Sequence, residues 1–177
     1  MFMTSQDNVN AVIRPMTNAD LQRVFTWRNH DQIRQYMLTP NKITFSHHVR
    51  WFERVSQDPT RHLLIFEESG KPRGFVQFER TACVEVSNWG FYTDPKAPKG
   101  TGKRLGNLAL NYAFSILGMH KVCGQTLAFN EGSIGLHKYL GFQQEALLHK
   151  QHRVENKFYD VLSFGLLNSE WNRSDES

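Results

Sequence analysis

Lys99-Gly100-Thr101-Gly102-Lys103-Arg104 lies between a strand-like run ending at Tyr92 and the strongest helical stretch of the chain. In that stretch Leu105, Leu108, Ala109, Tyr112, Ala113 and Ile116 recur at the spacing of one helix face. Strand, basic glycine turn and helix in this order place a helix N-terminus beside Lys99, Lys103 and Arg104. Such an end offers unpaired backbone N–H groups and the positive pole of the helix dipole. The glycines let an anion approach the backbone closely, which is what a pyrophosphate requires. Lys99, Gly100, Thr101, Gly102, Lys103 and Arg104 are the candidate contacts. Spacing excludes two common phosphate loops. A Walker loop follows Gly-Lys with Ser or Thr, whereas Arg104 follows here. A dinucleotide fingerprint needs a third glycine where Leu105 stands. A basic helix start without a ligand has the same composition, so the loop does not decide function alone.

Working outward, Val9 to Arg14 reads as a first strand, and Thr17 with Asp20 as a capping box opening a helix through Leu21, Val24, Phe25 and Arg28. A second short helix covers Asp31 to Met37. Ser46 is placed to cap a third, on which His48, Trp51 and Val55 share one face. The period then changes. Leu63–Phe66 and Phe75–Phe78 form an antiparallel pair across Glu68–Pro72, and Cys83–Tyr92 forms a third strand. Gly90 inside that strand marks a bulge or a close backbone approach. Past the glycine loop and its helix come a strand from Lys121 to Phe129, a helix from Glu131 to Leu140 stopped by Gly141, and two strands near Gln143–Gln151 and Phe158–Leu166. Antiparallel hairpins followed by β-α-β units imply a mixed sheet with helices on its faces.

The chain has 177 residues, 40% hydrophobic and 21% charged, with 12 Gly and 6 Pro. That excludes disordered, collagen-like and low-complexity classes. It fits one domain over 9–171 with loose ends at 1–8 and 172–177. Net charge is +4, a mild bias toward anionic partners. Lys and Arg are scattered outside residues 96–104, so no nucleic-acid stripe is expected. Cys83 and Cys123 make no disulfide framework and read as small hydrophobes within strands. His149 and His152 fall on opposite sides of a strand, so no metal is expected. No apolar run reaches the length of a membrane span and no leader pattern is present, so a cytoplasmic protein is expected.

Two stretches carry a family resemblance. Ala97-Pro-Lys-Gly100-Thr-Gly102 resembles the acyl-CoA loop of the GNAT acetyltransferase superfamily, Gln/Arg-x-x-Gly-x-Gly/Ala, with Ala97 in place of the first residue. Asn130-Glu-Gly-Ser133-Ile-Gly-Leu136-His-Lys-Tyr-Leu140-Gly141-Phe142 resembles the superfamily's second motif, with His137 where a tyrosine is usual. The resemblance implies an α/β (α+β) fold: a mixed, largely antiparallel sheet of about seven strands, helices on both faces, and a splayed strand pair that receives acetyl-CoA. Trp27-Arg28-Asn29 with Arg34 and Met37, His48-x-x-Trp51 and Trp89-Gly90-Phe91-Tyr92 are further similar to the sugar-nucleotide N-acetyltransferases of pseudaminic acid biosynthesis, a flagellin glycosylation pathway. Those enzymes acetylate the 4-amino group of a UDP-4-amino-4,6-dideoxy sugar. Protein N-terminal and polyamine acetyltransferases share the fold and stand as alternatives, as does a non-catalytic acyl-CoA-binding relative.

The resemblance implies roles. Trp89, Gly90, Phe91 and Tyr92, with Asn130 and Ser133, hold the acyl-CoA arm, and freed backbone N–H groups polarise the thioester. His137 protonates the leaving thiolate, with Tyr139 as its rival. On a helix Ser133 and His137 lie about 40° apart, and Tyr139 about 160° from His137, so only one of the two rivals faces the thiol. Glu79 and Glu85 are the candidate bases, strand parity deciding between them. Arg28 and His48 are candidates for a nucleotide diphosphate, Asn29 for a substrate contact beside them, Trp51 for stacking on uracil or sugar, and Thr81 for a hydroxyl contact. The partner is a small nucleotide sugar, and the protein a monomer or homodimer.

Overall fold

The computed structural model describes residues 10–171. The loose ends expected at 1–8 and 172–177, and Val9 of the expected first strand, lie outside them. The strands are β1 (Ala11–Pro15), β2 (Arg61–Glu68), β3 (Lys71–Arg80), β4 (Val86–Thr93), β5 (Lys121–Leu127), β6 (Gln143–Val154) and β7 (Lys157–Leu167). The helices are α1 (Leu21–Asn29), α2 (Asp31–Arg34), α3 (Phe45–Val55), α4 (Thr101–Asn111), α5 (Glu131–Tyr139) and α6 (Asn168–Trp171). One seven-stranded sheet runs β1-β2-β3-β4-β5-β7-β6. Every neighbouring pair is antiparallel except β4 and β5. That pair is joined by the α4 crossover, which parallel neighbours need. The mixed, largely antiparallel sheet is the one expected.

β2 is buried on both sides, so its apolar residues run without alternation. Leu63 and Ile65 join Val24 and Trp27 of α1, Phe52 of α3 and Phe75 in one core. Leu64 and Phe66 join Val76, Phe78 and the α4 residues Leu105, Ala109 and Leu110 in the other. The expected capping box forms on a 3-10 turn, Asn18–Asp20, that leads into α1. The Asp20 carboxylate accepts from Thr17 N at 2.9 Å and from both ends of the Arg14 guanidinium at 2.8 Å.

Three local expectations are corrected. Thr44, not Ser46, caps α3, its hydroxyl accepting from His47 N at 3.2 Å. The helix therefore starts two residues earlier, at Phe45, and Ser46 lies in its first turn. Cys83 is exposed in the turn before β4, because the strand starts only at Val86. Ile116 is 69% exposed. The end of the α4 helix widens into a π turn over Tyr112–Ile116, with Leu117 N bonded to Tyr112 O. The wider turn carries Phe114 into the core in place of Ile116.

Candidate active site

β4 and β5 pair only at Val86–Lys121, Ser87–Val122 and Asn88–Cys123. Beyond Asn88 they part, while β4 stays fully paired to β3 on its other side. Backbone groups that would have closed the ladder face a cleft of about 660 Å³ instead. Its walls include Gln77, Glu79, Gly90, Phe91, Cys123 and Ser133. The β3–β4 register runs without interruption through Gly90 opposite Gln77, so the bulge alternative for Gly90 is excluded. A Cβ there would meet only Gln77, at 3.5 Å. Sheet packing therefore does not demand glycine at this position, and its absent side chain keeps the cleft floor low.

Where the strands part, Trp89 and His137 are packed against Gly124. A Cβ on Gly124 would lie 2.4 Å from His137 Nε2 and 2.7 Å from Trp89 Nε1. The indole N–H donates to His137 Nε2 at 3.1 Å, and His137 Nδ1 lies 2.8 Å from the Ser133 carbonyl, to which it donates. The imidazole stacks on Phe164 and meets Phe142 edge-on. Only 2% of His137 is exposed, and burial pulls its pKa below the usual histidine range. Both ring nitrogens are engaged and the ring is neutral. The expectation that His137 donates a proton to the thiolate is therefore corrected: it braces Trp89 at the root of the splay. Tyr139 is no substitute. It is 55% exposed, lies under Lys103 Nζ at 4.1 Å, and does not line the cleft.

The neutral His137 has a measurable consequence. In the unfolded chain it takes up a proton below about pH 6.5, and in the fold it resists. The unfolded state then binds more protons, so this contribution is complete above about pH 6.5 and is lost as pH falls, by at most about 1.4 kcal/mol per pH unit. Melting temperature should drop between pH 7.5 and 5.5, and His137→Phe should flatten that slope. An unchanged slope would assign the acid sensitivity to other buried histidines.

Parity settles the carboxylates. Phe75, Gln77 and Glu79 of β3 line the cleft, whereas Glu85 is corrected to an exposed turn position whose carbonyl accepts from His120 N. Glu79 is tied to Arg61 at 2.5 Å. Three other candidates are committed elsewhere. Thr81 bonds Cys83 within the β3–β4 turn at 3.0 and 3.2 Å. Asn29 clips the Ile43 backbone at 2.8 and 3.0 Å, holding the loop before α3. Neither is in the lining of the cleft. Asn130 does line the cleft, but its side chain caps α5 by accepting from Ser133 N at 3.1 Å.

The glycine loop forms as expected. Gly100 has φ +87°, a left-handed turn that favours glycine, and α4 starts at Thr101. Lys99 and Lys103 are exposed beside it. Arg104 is corrected: its guanidinium folds back onto the buried Glu68 carboxylate.

A second cavity of about 260 Å³ adjoins the cleft, sharing Met37, Thr39, Phe75, Gln77 and Tyr92 with it. Arg28, His48, Trp51 and Arg61 complete its charged and aromatic wall. Arg28 is 8% exposed and donates to Thr39 O at 2.5 Å, while its Nη1 has no hydrogen-bond partner among the described residues. Nor does any carboxylate there pair with it. His48 is 3% exposed, stacks on Trp51 at 5.2 Å, and leaves Nε2 without a partner. Burial lowers its pKa, the Leu21 carbonyl working the other way. Burial raises that of the Tyr92 phenol, with Arg28 opposing. Arg61 and Gln77 are site residues that the sequence reading missed. The strand parity of Gln77 with Glu79 was the available signal.

The acetyltransferase (GNAT) domain profile matches residues 10–143. The chain belongs to the GNAT acetyltransferase family. This GNAT chain is 25% identical over 123 residues to acetyltransferase PseH of Campylobacter jejuni subsp. jejuni serotype O:23/36 (strain 81-176), covering 70% of this chain and 76% of that one. It is 23% identical over 172 residues to the spermidine N(1)-acetyltransferase of Vibrio cholerae serotype O1, covering 95% and 99%. The crystal structure of spermidine N-acetyltransferase from Vibrio cholerae in complex with CoA and spermine superposes with a TM-score of 0.84 at 22% identity, covering 92% and 98%. That likeness shows the fold. The chain is thus an N-acetyltransferase of the GNAT fold. Among the described residues no three His, Cys, Asp or Glu side chains are grouped to hold a metal ion, and no helix is long and apolar enough to cross a membrane.

Proposed function

We propose that the unit spanning 9–171 transfers acetyl from acetyl-CoA to the amine of a nucleotide-linked amino sugar, with the 4-amino group of a UDP-4-amino-4,6-dideoxy sugar as acceptor. The observation that carries this reading is Arg28, a buried cation with no carboxylate partner among the described residues, on a wall continuous with the transfer cleft. A buried unpaired charge is costly unless a ligand completes it. A diphosphate supplies two adjacent anionic groups, which a guanidinium fork suits. An anion arriving at His48 Nε2 would also favour its protonation. Trp51 is a half-buried ring of the size and polarity to stack on a base or sugar. The relatives called acetyltransferase PseH support the same substrate class.

A polyamine is the poorer fit. Among the described residues no carboxylate lines the smaller cavity, and Glu79, which lines the cleft, is bonded to Arg61. A cationic acceptor would meet Arg28 and Arg61 there instead.

In the reaction the neutral amine attacks the thioester carbonyl directly, the C–S bond breaks, and the proton lost by the amine balances the one gained by the departing thiolate, which leaves as the free thiol of CoA. Unpaired β4 backbone beyond Asn88 holds the acyl arm and polarises the carbonyl. Fixed alignment between the two cavities supplies the largest part of the acceleration. Lys99, Lys103 and the α4 N-terminus take the pyrophosphate. Ser133, Phe91 and Tyr92 shape the walls.

Free-thiol release from acetyl-CoA tests this with three amines side by side. Turnover is expected with the UDP-4-amino sugar and at background level with spermidine and an N-terminal peptide. Turnover with either of the latter alone would discard the nucleotide site and keep the transferase.

A further inference from the structure

The mouth of the glycine loop holds a carboxylate that anion binding does not want. Glu68, the last residue of β2, is 6% exposed beneath the start of α4. Its Oε2 accepts from Thr101 Oγ1 at 3.3 Å, and both oxygens accept from Arg104. Arg104 Nη2 also reaches Thr101 Oγ1 at 3.2 Å. A Cβ on Gly100 would sit 2.9 Å from Arg104 Nη1, so the guanidinium lies across the left-handed turn itself. The Thr101 hydroxyl, in turn, lies 2.7 Å from the Pro98 carbonyl. Two residues of the first turn of α4 are thus bound to one buried acid, and Thr101 ties that turn to Pro98 on the other side of Gly100.

We propose that Glu68 and Arg104 form a positioning pair for the pyrophosphate loop, in which Arg104 supports acetyl-CoA binding by neutralising Glu68 and holding Gly100–Thr101 in shape, not by touching the cofactor's phosphates. This rests on the reading that the α4 N-terminus takes the pyrophosphate. Three facts support it. The guanidinium is already engaged with both Glu68 oxygens and with Thr101. Glu68 raises the pKa of Arg104, as a bonded carboxylate does. Lys99 and Lys103 are exposed on the same loop and have no acidic partner among the described residues, so the mobile positive charge is theirs. Without Arg104, a buried carboxylate would stand uncompensated beside an incoming anion. Like charges held close in a poorly solvated place repel strongly.

The pairing makes a sign prediction that direct contact does not. Calorimetric binding of acetyl-CoA should weaken roughly tenfold or more in Arg104→Gln, where Glu68 is left unpaired. Glu68→Gln alone should bind within about threefold of the parent or more tightly, because Arg104 is then released. The double variant Glu68→Gln, Arg104→Gln should recover to within about threefold of the parent, since no charge is left to repel. Acetyl-pantetheine, which has no pyrophosphate, should bind all four proteins alike. Arg104→Lys, which keeps the charge, should retain most of the affinity and serves if Arg104→Gln fails to fold. A double variant as weak as Arg104→Gln would overturn the proposal and put Arg104 on the phosphates. Equal loss of acetyl-pantetheine binding in Arg104→Gln would overturn it too, showing general disruption. Parent protein that binds acetyl-pantetheine no more weakly than acetyl-CoA would overturn the pyrophosphate reading beneath it.

Discussion

Replacing Arg28 with methionine should lower kcat/KM for the UDP-4-amino sugar by about a hundredfold, mostly through KM, with no matching loss of stability. The size follows from charge-assisted hydrogen bonds, worth about 1.5–3 kcal/mol each when made to an ionised group. The stability side separates a binding residue from a core residue. Arg28 carries a buried charge with an unpartnered Nη1, and burial lowers its pKa. Methionine removes that cost while losing the bond to Thr39 O. The two changes oppose each other, so the melting temperature should stay within roughly the equivalent of 1 kcal/mol. Steady-state kinetics beside a thermal melt read both. A variant that melts far lower would make Arg28 a structural clamp on Thr39. Full activity would remove the diphosphate from this wall.

Gly124→Ala should be strongly destabilising for a single added methyl group. Its Cβ would fall inside the contact distance of two rings that are bonded to each other, 2.4 Å from one and 2.7 Å from the other. Both rings are buried, and His137 is also held by Phe142 and Phe164, so neither gives way cheaply. Overpacking costs about 1–3 kcal/mol, and a buried polar atom left unpaired about as much again. A loss of about 2–5 kcal/mol should lower the melting temperature by roughly 5–15 °C for a chain of this size. Turnover should fall with it, because Trp89 stands where β4 leaves β5. A stable, fully active Gly124→Ala would show that the Trp89–His137 bond does not set the splay.

His137 shows how far a motif carries. Its position in the Asn130–Phe142 stretch was legible, and helical spacing correctly put it on the face of Ser133. The chemistry was not legible. Whether a histidine is a charged donor or a neutral brace depends on what closes around it. Trp89 comes from β4, Phe142 from the turn between α5 and β6, and Phe164 from β7. Arg104 and Arg28 exchange weight for the same reason. Both are arginines at helix ends in the sequence. Glu68, 36 residues away, claims Arg104, whereas no acid among the described residues claims Arg28. Glu79 and Glu85 differ by strand parity and by where β4 begins, which only register decides.

The sequence by itself determined the order of the strands and the longer helices, the capping box ahead of α1 and the glycine turn before α4. These depend on residues close in the chain: periodicity, caps, and the backbone freedom of glycine. Only the tertiary structure decided which polar groups are already partnered. It tied Arg104 to Glu68, His137 to Trp89, Asn29 to Ile43 and Thr81 to Cys83, and left Arg28 and His48 incomplete beside the cleft. Hydrogen-bond satisfaction is a property of the folded neighbourhood, set by side chains that arrive from distant segments, and a residue's type and spacing do not carry it.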